Sequence, residues 1–249
     1  MTAPDATGPA ATSDGVTAPF LRRPAVASSV VALIAGGAAA ALVADGTLQR
    51  EILRVAVVGV LAFGIGTRLV RRDGTALRAL GALVALGGGL VVLAALGRAA
   101  TQPPQVTQRL ELLPGIAGLW TLSAALAPVR FRWSRALIDV GTGFVFLGVL
   151  VTGVTQGADA IALLLAALAT ILARDAAENA VSVGGQIGVQ RGASTARSEL
   201  VHAGAAASVG VGAIAVVLGV ARLGVEGLPF GALVALVAGG VILVFGSDR

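Results

Sequence analysis

The chain has 249 residues, of which 56% are hydrophobic and 12% charged, with 18 basic residues, all arginine, against 13 acidic ones, one histidine and no cysteine. A mean hydropathy of +0.91 and a charged fraction about half that of a soluble domain leave a water-soluble fold only if its helices were apolar on every face. The missing cysteines exclude disulfides, thiolate metal sites, cysteine nucleophiles and S-acylation.

Residues 1–19 are mostly Ala, Thr, Pro, Gly, Ser and Asp. Such a segment buries too little apolar area to offset its ordering entropy, so residues 1–20 are expected to be a disordered tail. Mostly apolar stretches then follow at 24–44, 52–70, 77–96, 110–128, 136–154, 160–173, 200–220 and 228–245. A hydrocarbon core of about 30 Å needs roughly 20 apolar residues in helix, because no water is present there to satisfy backbone groups. The pattern predicts an all-α polytopic transmembrane bundle of about eight spans, forming a single membrane domain over 21–249.

The first span follows Arg22 and Arg23 and ends near Ala41 and Ala44. Its apolar run is longer than a signal-peptide core, so it reads as an uncleaved anchor. The sixth span, 160–173, is the weakest, being short and bounded by Asp159 and by Arg174 with Asp175. After it comes the longest polar connection, 175–198, read as a cytoplasmic loop.

Arginines near span ends are retained on the cytoplasmic side. With the N-terminus inside, the inner segments carry Arg22, Arg23, Arg68, Arg71, Arg72, Arg78, Arg130, Arg132, Arg135, Arg174, Arg191, Arg197 and Arg249, while the outer ones carry only Arg50, Arg54, Arg98, Arg109 and Arg222. This asymmetry predicts both termini in the cytoplasm of a multi-pass plasma-membrane protein. Topogenesis and contact with anionic lipid also account for the formal charge of +5 without nucleic acid as a partner, since few aromatics accompany the arginines.

Two segments run span, arginine cluster, span: 59–90 and 118–150. They read either as a repeated helical hairpin or as shared composition. Small residues recur every four positions at Gly81, Ala85 and Gly89 and at Gly204, Ser208 and Gly212. Such strips let backbones approach closely, and both are expected to face into the bundle.

Ionisable residues inside a bilayer flag function by default. Asp139 lies one turn inside the fifth span and is expected to pair with Arg135; Glu111, at the outer end of the fourth span beside Arg109, is expected to be solvated. The richest polar patch is Arg174, Asp175, Glu178 and Asn179, followed by Ser182 and Gln186. Were the sixth helix to continue, Asp175, Asn179, Ser182 and Gln186 would share one face, and Arg174 and Glu178 would be i,i+4 neighbours. Glu199 and His202 have the i,i+3 spacing of bundle di-metal sites, but such a site needs a second pair and further glutamates. Arg174, Asp175, Glu178, Asn179, Gln186, Glu199 and His202 are therefore read as an interaction surface, with no metal site, cofactor site or catalytic set assigned.

The stretch 172–184, with 199–204 after it, resembles uncharacterised multi-pass membrane proteins of halophilic archaea. Arginine without lysine and heavy Ala, Gly and Val usage suit the resemblance. It implies a membrane protein of unknown function, often encoded near MoxR-type ATPases and their accessory membrane proteins. The expected role is a non-enzymatic scaffold or accessory subunit of a membrane-associated assembly, with the lipid bilayer and a cytosolic or membrane protein as partners. The alternative is a small-solute or ion transporter or channel, which calls for a polar cavity reaching the midplane from Asp139, Thr142, Thr152 or Gln156.

Overall fold

The computed structural model describes residues 24–127, 133–156, 158–187 and 192–222. The eighth span at 228–245, the tail at 1–20 and Arg130, Arg132, Arg191 and Arg249 lie outside the described residues.

Seven helices follow in chain order: α1 (Val26–Leu42), α2 (Thr47–Leu69), α3 (Thr75–Thr101), α4 (Val106–Leu126), α5 (Ser134–Gln156), α6 (Ala160–Ile187) and α7 (Gly192–Arg222). Five of them, α2, α3, α5, α6 and α7, are long and apolar enough to cross a membrane. The described residues form an all-helical, membrane-embedded bundle. Its exterior agrees with that setting, since Leu80, Leu83, Leu86, Leu90 and Leu93 form an exposed stripe on α3.

The helices pack as three antiparallel pairs, α2 with α3, α4 with α5, and α1 with α6. Successive helices alternate in direction. One end of the bundle therefore gathers the starts of α1, α3, α5 and α7, together with Arg68, Arg71, Arg72, Arg78, Arg135, Arg174 and Arg197; this is the arginine-rich end. The short turn that joins α2 to α3 there uses Gly74, whose φ of 115° is a conformation that side-chain-bearing residues rarely adopt.

The two span–arginine–span segments each fold as such a hairpin. Gly59 and Gly66 of α2 lie against Gly88, Gly81 and Ala85 of α3, and a β-carbon on Gly88 would stand 2.4 Å from the Phe63 amide nitrogen. Gly118 of α4 and Gly141 of α5 make the equivalent clasp. Lipid supplies no hydrophobic drive for helix association, so close backbone packing supplies dispersion and weak Cα–H contacts instead.

Of the two small-residue strips, Gly81 and Ala85 do face α2, whereas Gly89 turns to Trp120 of α4. The strip on α7 departs from expectation: a β-carbon at Gly204 or Gly212 meets nothing within 4 Å, and Gly210 is the residue that faces Leu168 of α6. The α7 helix packs only against α6 and α1 among the described residues, and a span of small residues apolar all round cannot announce which side its neighbours take. Gly204→Ala and Gly212→Ala should accordingly leave the melting temperature in detergent unchanged or slightly raised, and a clear loss would show that this face is covered.

The α6 helix also differs from the sequence reading. It runs unbroken through Arg174 to Ile187, so 175–187 is helix rather than loop, and helix resumes at Gly192. Of the charges that made the sixth span look short, Arg174 and Asp175 meet partners on α5 and α7, and Asp159 accepts from the Ala162 amide at the start of α6 itself.

The α1 and α4 helices sit at the centre. The α4 helix touches α1, α2, α3, α5 and α6 and buries Leu112, Ile116, Leu119 and Leu122 along one face. It is neither the most apolar helix nor free of proline, with Pro114 in its third turn. Protein rather than lipid surrounds it, which is the setting where polar residues and a proline are tolerated.

Candidate functional site

Polar side chains converge at both ends of the bundle, and the two clusters differ in kind. At the arginine-rich end the cluster is built around the start of α1. Its N-cap is Ala25, which has no side chain able to cap. The first amides of a helix lack internal acceptors. Here distant helices supply them: Glu199 Oε2 of α7 accepts from the Ser28 amide at 2.8 Å and from the Ser28 hydroxyl at 2.7 Å, and the Ala180 carbonyl of α6 accepts from the Ala25 amide at 2.8 Å. Asn179 Nδ2 donates to Ser28 Oγ at 3.1 Å. A carboxylate at this position also meets the positive end of the α1 dipole.

Around that cap, Arg174 bridges two helices. Its guanidinium lies 2.9 Å from Asp139 Oδ1 of α5 and 3.0 Å from Glu178 Oε1 on its own helix. The i,i+4 pair of Arg174 and Glu178 is thus present, but Asp139 pairs with Arg174 and not with Arg135, because α5 and α6 are antiparallel neighbours that bring 139 and 174 level. His202 Nε2 sits 3.1 Å from Asp175 Oδ2. The sole histidine and Glu199 therefore turn to different partners, and among the described residues no group of His, Cys, Asp and Glu is arranged to hold a metal ion.

The residues read as an interaction surface are brought together, but largely toward one another. Arg174, Asp175, Glu178, Asn179, Glu199 and His202 tie α1, α5, α6 and α7 into one body. The Gln186 side chain lies outside the described residues. Sequence reasoning missed Ser28, which donates twice to Glu199 and accepts from Asn179, since a serine at the third position of an apolar helix carries no signal of its own.

The second cluster, at the arginine-poor end, centres on Glu111. This residue is only 7% exposed, which corrects the expectation of a solvated glutamate. The α4 helix starts at Val106, four residues before the apolar run, so Glu111 lies more than a turn inside and on the same face as Gly115, Leu119 and Leu122. Arg109 turns away, donating from Nε to the Pro103 carbonyl at 2.9 Å. Glu111 instead accepts from Thr155 Oγ1 at 2.6 Å, from Gln49 Nε2 at 3.4 Å and from Gln156 Nε2. Gln49 is itself held, its Oε1 accepting from the Asp45 and Gly46 amides at 2.9 and 3.1 Å, so it closes the start of α2 while reaching α4. Beside this cluster is a cavity of about 20 Å³ bordered by Gln49, Glu111, Thr152, Gly115, Val145 and Ala44, room for roughly one water molecule.

Between the clusters lies an apolar layer. Ile116, Leu119, Leu122, Ile138 and Val145 are all at most 2% exposed. Thr142 and Thr152, candidates for a polar path, donate to the Ile138 and Gly148 carbonyls of their own helix at 2.8 and 3.0 Å.

A family profile described as a family of unknown function matches residues 104–244. The chain belongs to that family, DUF7519. No curated protein and no solved structure matches it. The DUF7519 match covers α4 through α7, and so contains Glu111, Asp139, Arg174, Asp175, Glu178, Asn179, Glu199 and His202. Both clusters nevertheless cross its edge: Ser28 on α1 and Gln49 on α2 lie before residue 104. The acidic members belong to the DUF7519 region, and the preceding helices add Ser28 to Glu199 and Gln49 to Glu111.

Proposed function

We propose that the protein is a non-enzymatic component of the plasma membrane, a scaffold or accessory subunit that presents its arginine-rich end to a cytosolic or membrane partner. The observation that carries this reading is the way polar side chains at that end are used. They brace α1, α5, α6 and α7 against one another, leaving a fixed surface on which the exposed Arg72, Trp133 and Arg135 stand. The resemblance to halophilic archaeal proteins, which are often encoded near MoxR-type ATPases, supports the reading as an accessory subunit of such an assembly. Purification of the full chain in mild detergent should yield a stoichiometric protein partner that is lost in Arg72→Glu/Trp133→Ala while membrane insertion is retained. Recovery of the chain alone, from wild type and variant alike, would defeat the scaffold reading.

Transport of an ion or small solute is the second reading, favoured by the buried carboxylate of Glu111 and its cavity. The apolar layer below that cavity weighs against a continuous polar path. Ion flux in liposomes holding only this protein would place the second reading first.

The proposed orientation rests on the arginine asymmetry and on helices that alternate through α7. Reporters inserted after Asp73, beside Pro103 and after Arg249 should read cytoplasmic, external and cytoplasmic. An external C-terminus would remove the eight-span topology.

A further inference from the structure

We propose that the outward face of α2 is a phospholipid-binding face, which holds one lipid from each leaflet by its phosphate, at Arg54 toward the arginine-poor end and at Arg68 toward the arginine-rich end. This does not depend on the scaffold reading and needs only that the bundle lies in a bilayer. Arg54, Val58, Leu61, Ile65 and Arg68 are all exposed. Their spacing of three and four residues puts them on one face of the helix, away from Ile52, Ala56, Gly59 and Gly66, which are buried in the bundle. Among the described residues neither guanidinium meets an acid or a carbonyl. Arg78 and Arg98, near the two ends of the neighbouring α3, are by contrast paired with Asp73 and Glu51. Nor is Arg68 spent on the end of its own helix, since the Val70, Arg71 and Arg72 amides donate to the Gly66, Arg68 and Leu69 carbonyls.

Length decides where the two charges lie. At 1.5 Å per residue, Arg54 and Arg68 stand about 21 Å apart along the axis, whereas the hydrocarbon core is about 30 Å thick. The shortfall of about 9 Å is made up by side chains reaching outward or by a bilayer thinned around α2. Either way each guanidinium ends at the level of the lipid phosphates rather than in bulk water. Its planar fork matches a phosphate with two parallel hydrogen bonds, and little water competes for them at that depth. Val58, Leu61 and Ile65 offer the acyl chains an apolar surface between the two anchors. The anchors are not equal. The Cα–Cβ bond tilts toward the helix N-terminus, so Arg54 reaches its interface along its natural direction, while Arg68 starts toward the hydrocarbon and has to turn back. Arg68 therefore depends more on a phosphate drawn to it.

The test uses the full-length protein in a maltoside detergent, which carries no phosphate, titrated at constant ionic strength with phosphatidylglycerol, with diacylglycerol of the same chains, or with inorganic phosphate. A ligand of the folded state raises the unfolding midpoint with its concentration. Phosphatidylglycerol should give a saturable rise that the other two do not. In Arg68→Gln the half-saturating concentration should increase about tenfold or more, the value of one lost charge-assisted contact. Native mass spectrometry should retain one lipid fewer in Arg54→Gln, one fewer in Arg68→Gln and two fewer in the double variant. Arg109→Gln, whose guanidinium is already taken by the Pro103 carbonyl, should bind lipid as the wild type does. If one single variant fails to fold, the other carries the test. Equal midpoints with phosphatidylglycerol and diacylglycerol would overturn the proposal, as would lipid retention unchanged in the variants. An equal rise with inorganic phosphate would assign the arginines to a free anion and overturn it too.

Discussion

Gly66→Ala should cost the protein about 2–3 kcal/mol, the upper range for forcing one extra methyl into a packed interface. A β-carbon there would stand 2.3 Å from the Ala85 amide nitrogen and 2.7 Å from the Gly81 carbonyl oxygen. Both obstacles are backbone, so no rotamer change relieves them; α2 and α3 must separate along their length. Gly64 provides the control two residues away. A β-carbon at Gly64 meets nothing within 4 Å, and alanine there should be neutral or stabilise by up to about 1 kcal/mol, because glycine is the weaker helix former. Unfolding of the two variants in mixed detergent micelles, followed by circular dichroism, reads the difference directly. Equal stability would mean that the hairpin is not clasped at Gly66.

Glu199→Ala should cost about 2–3 kcal/mol, combining the loss of a helix cap with a buried amide and hydroxyl left without an acceptor. The damage should appear far from the mutation in sequence. Ser28 is 171 positions away, and amide hydrogen exchange over the first turn of α1 should accelerate as that turn loses its acceptor. Glu199→Gln keeps an oxygen and should lose only about 1 kcal/mol, the difference between a charged and a neutral acceptor. Leu200→Ala, at an exposed position, should change little. Unaltered exchange at the start of α1 in Glu199→Ala would show that the cap is dispensable.

The order of the helices and the length of most of them, α6 excepted, were legible in the sequence because insertion is a one-dimensional criterion. A run of apolar residues must be long enough for the hydrocarbon core, and arginines mark its ends. The same local signal located the clusters: Arg174, Asp175, Glu178, Asn179, Glu199 and His202 stand out against apolar surroundings. What these residues touch was not legible. The small-residue spans carry little asymmetry around their axes, so the sequence does not reveal which way each helix is turned, and rotation decides every cross-helix contact. Glu111 shows this most plainly, for only the packing of α2 and α5 around α4 turns a residue at the edge of a span into a buried acid held by Gln49, 62 positions earlier. The same holds for the α1 cap, the Arg174 bridge to Asp139 and the open glycine strip of α7. Local pattern sets the order of the helices and most of their ends, whereas the extension of α6 past Arg174 and the rotation of each helix are chosen by packing with partners distant in the chain.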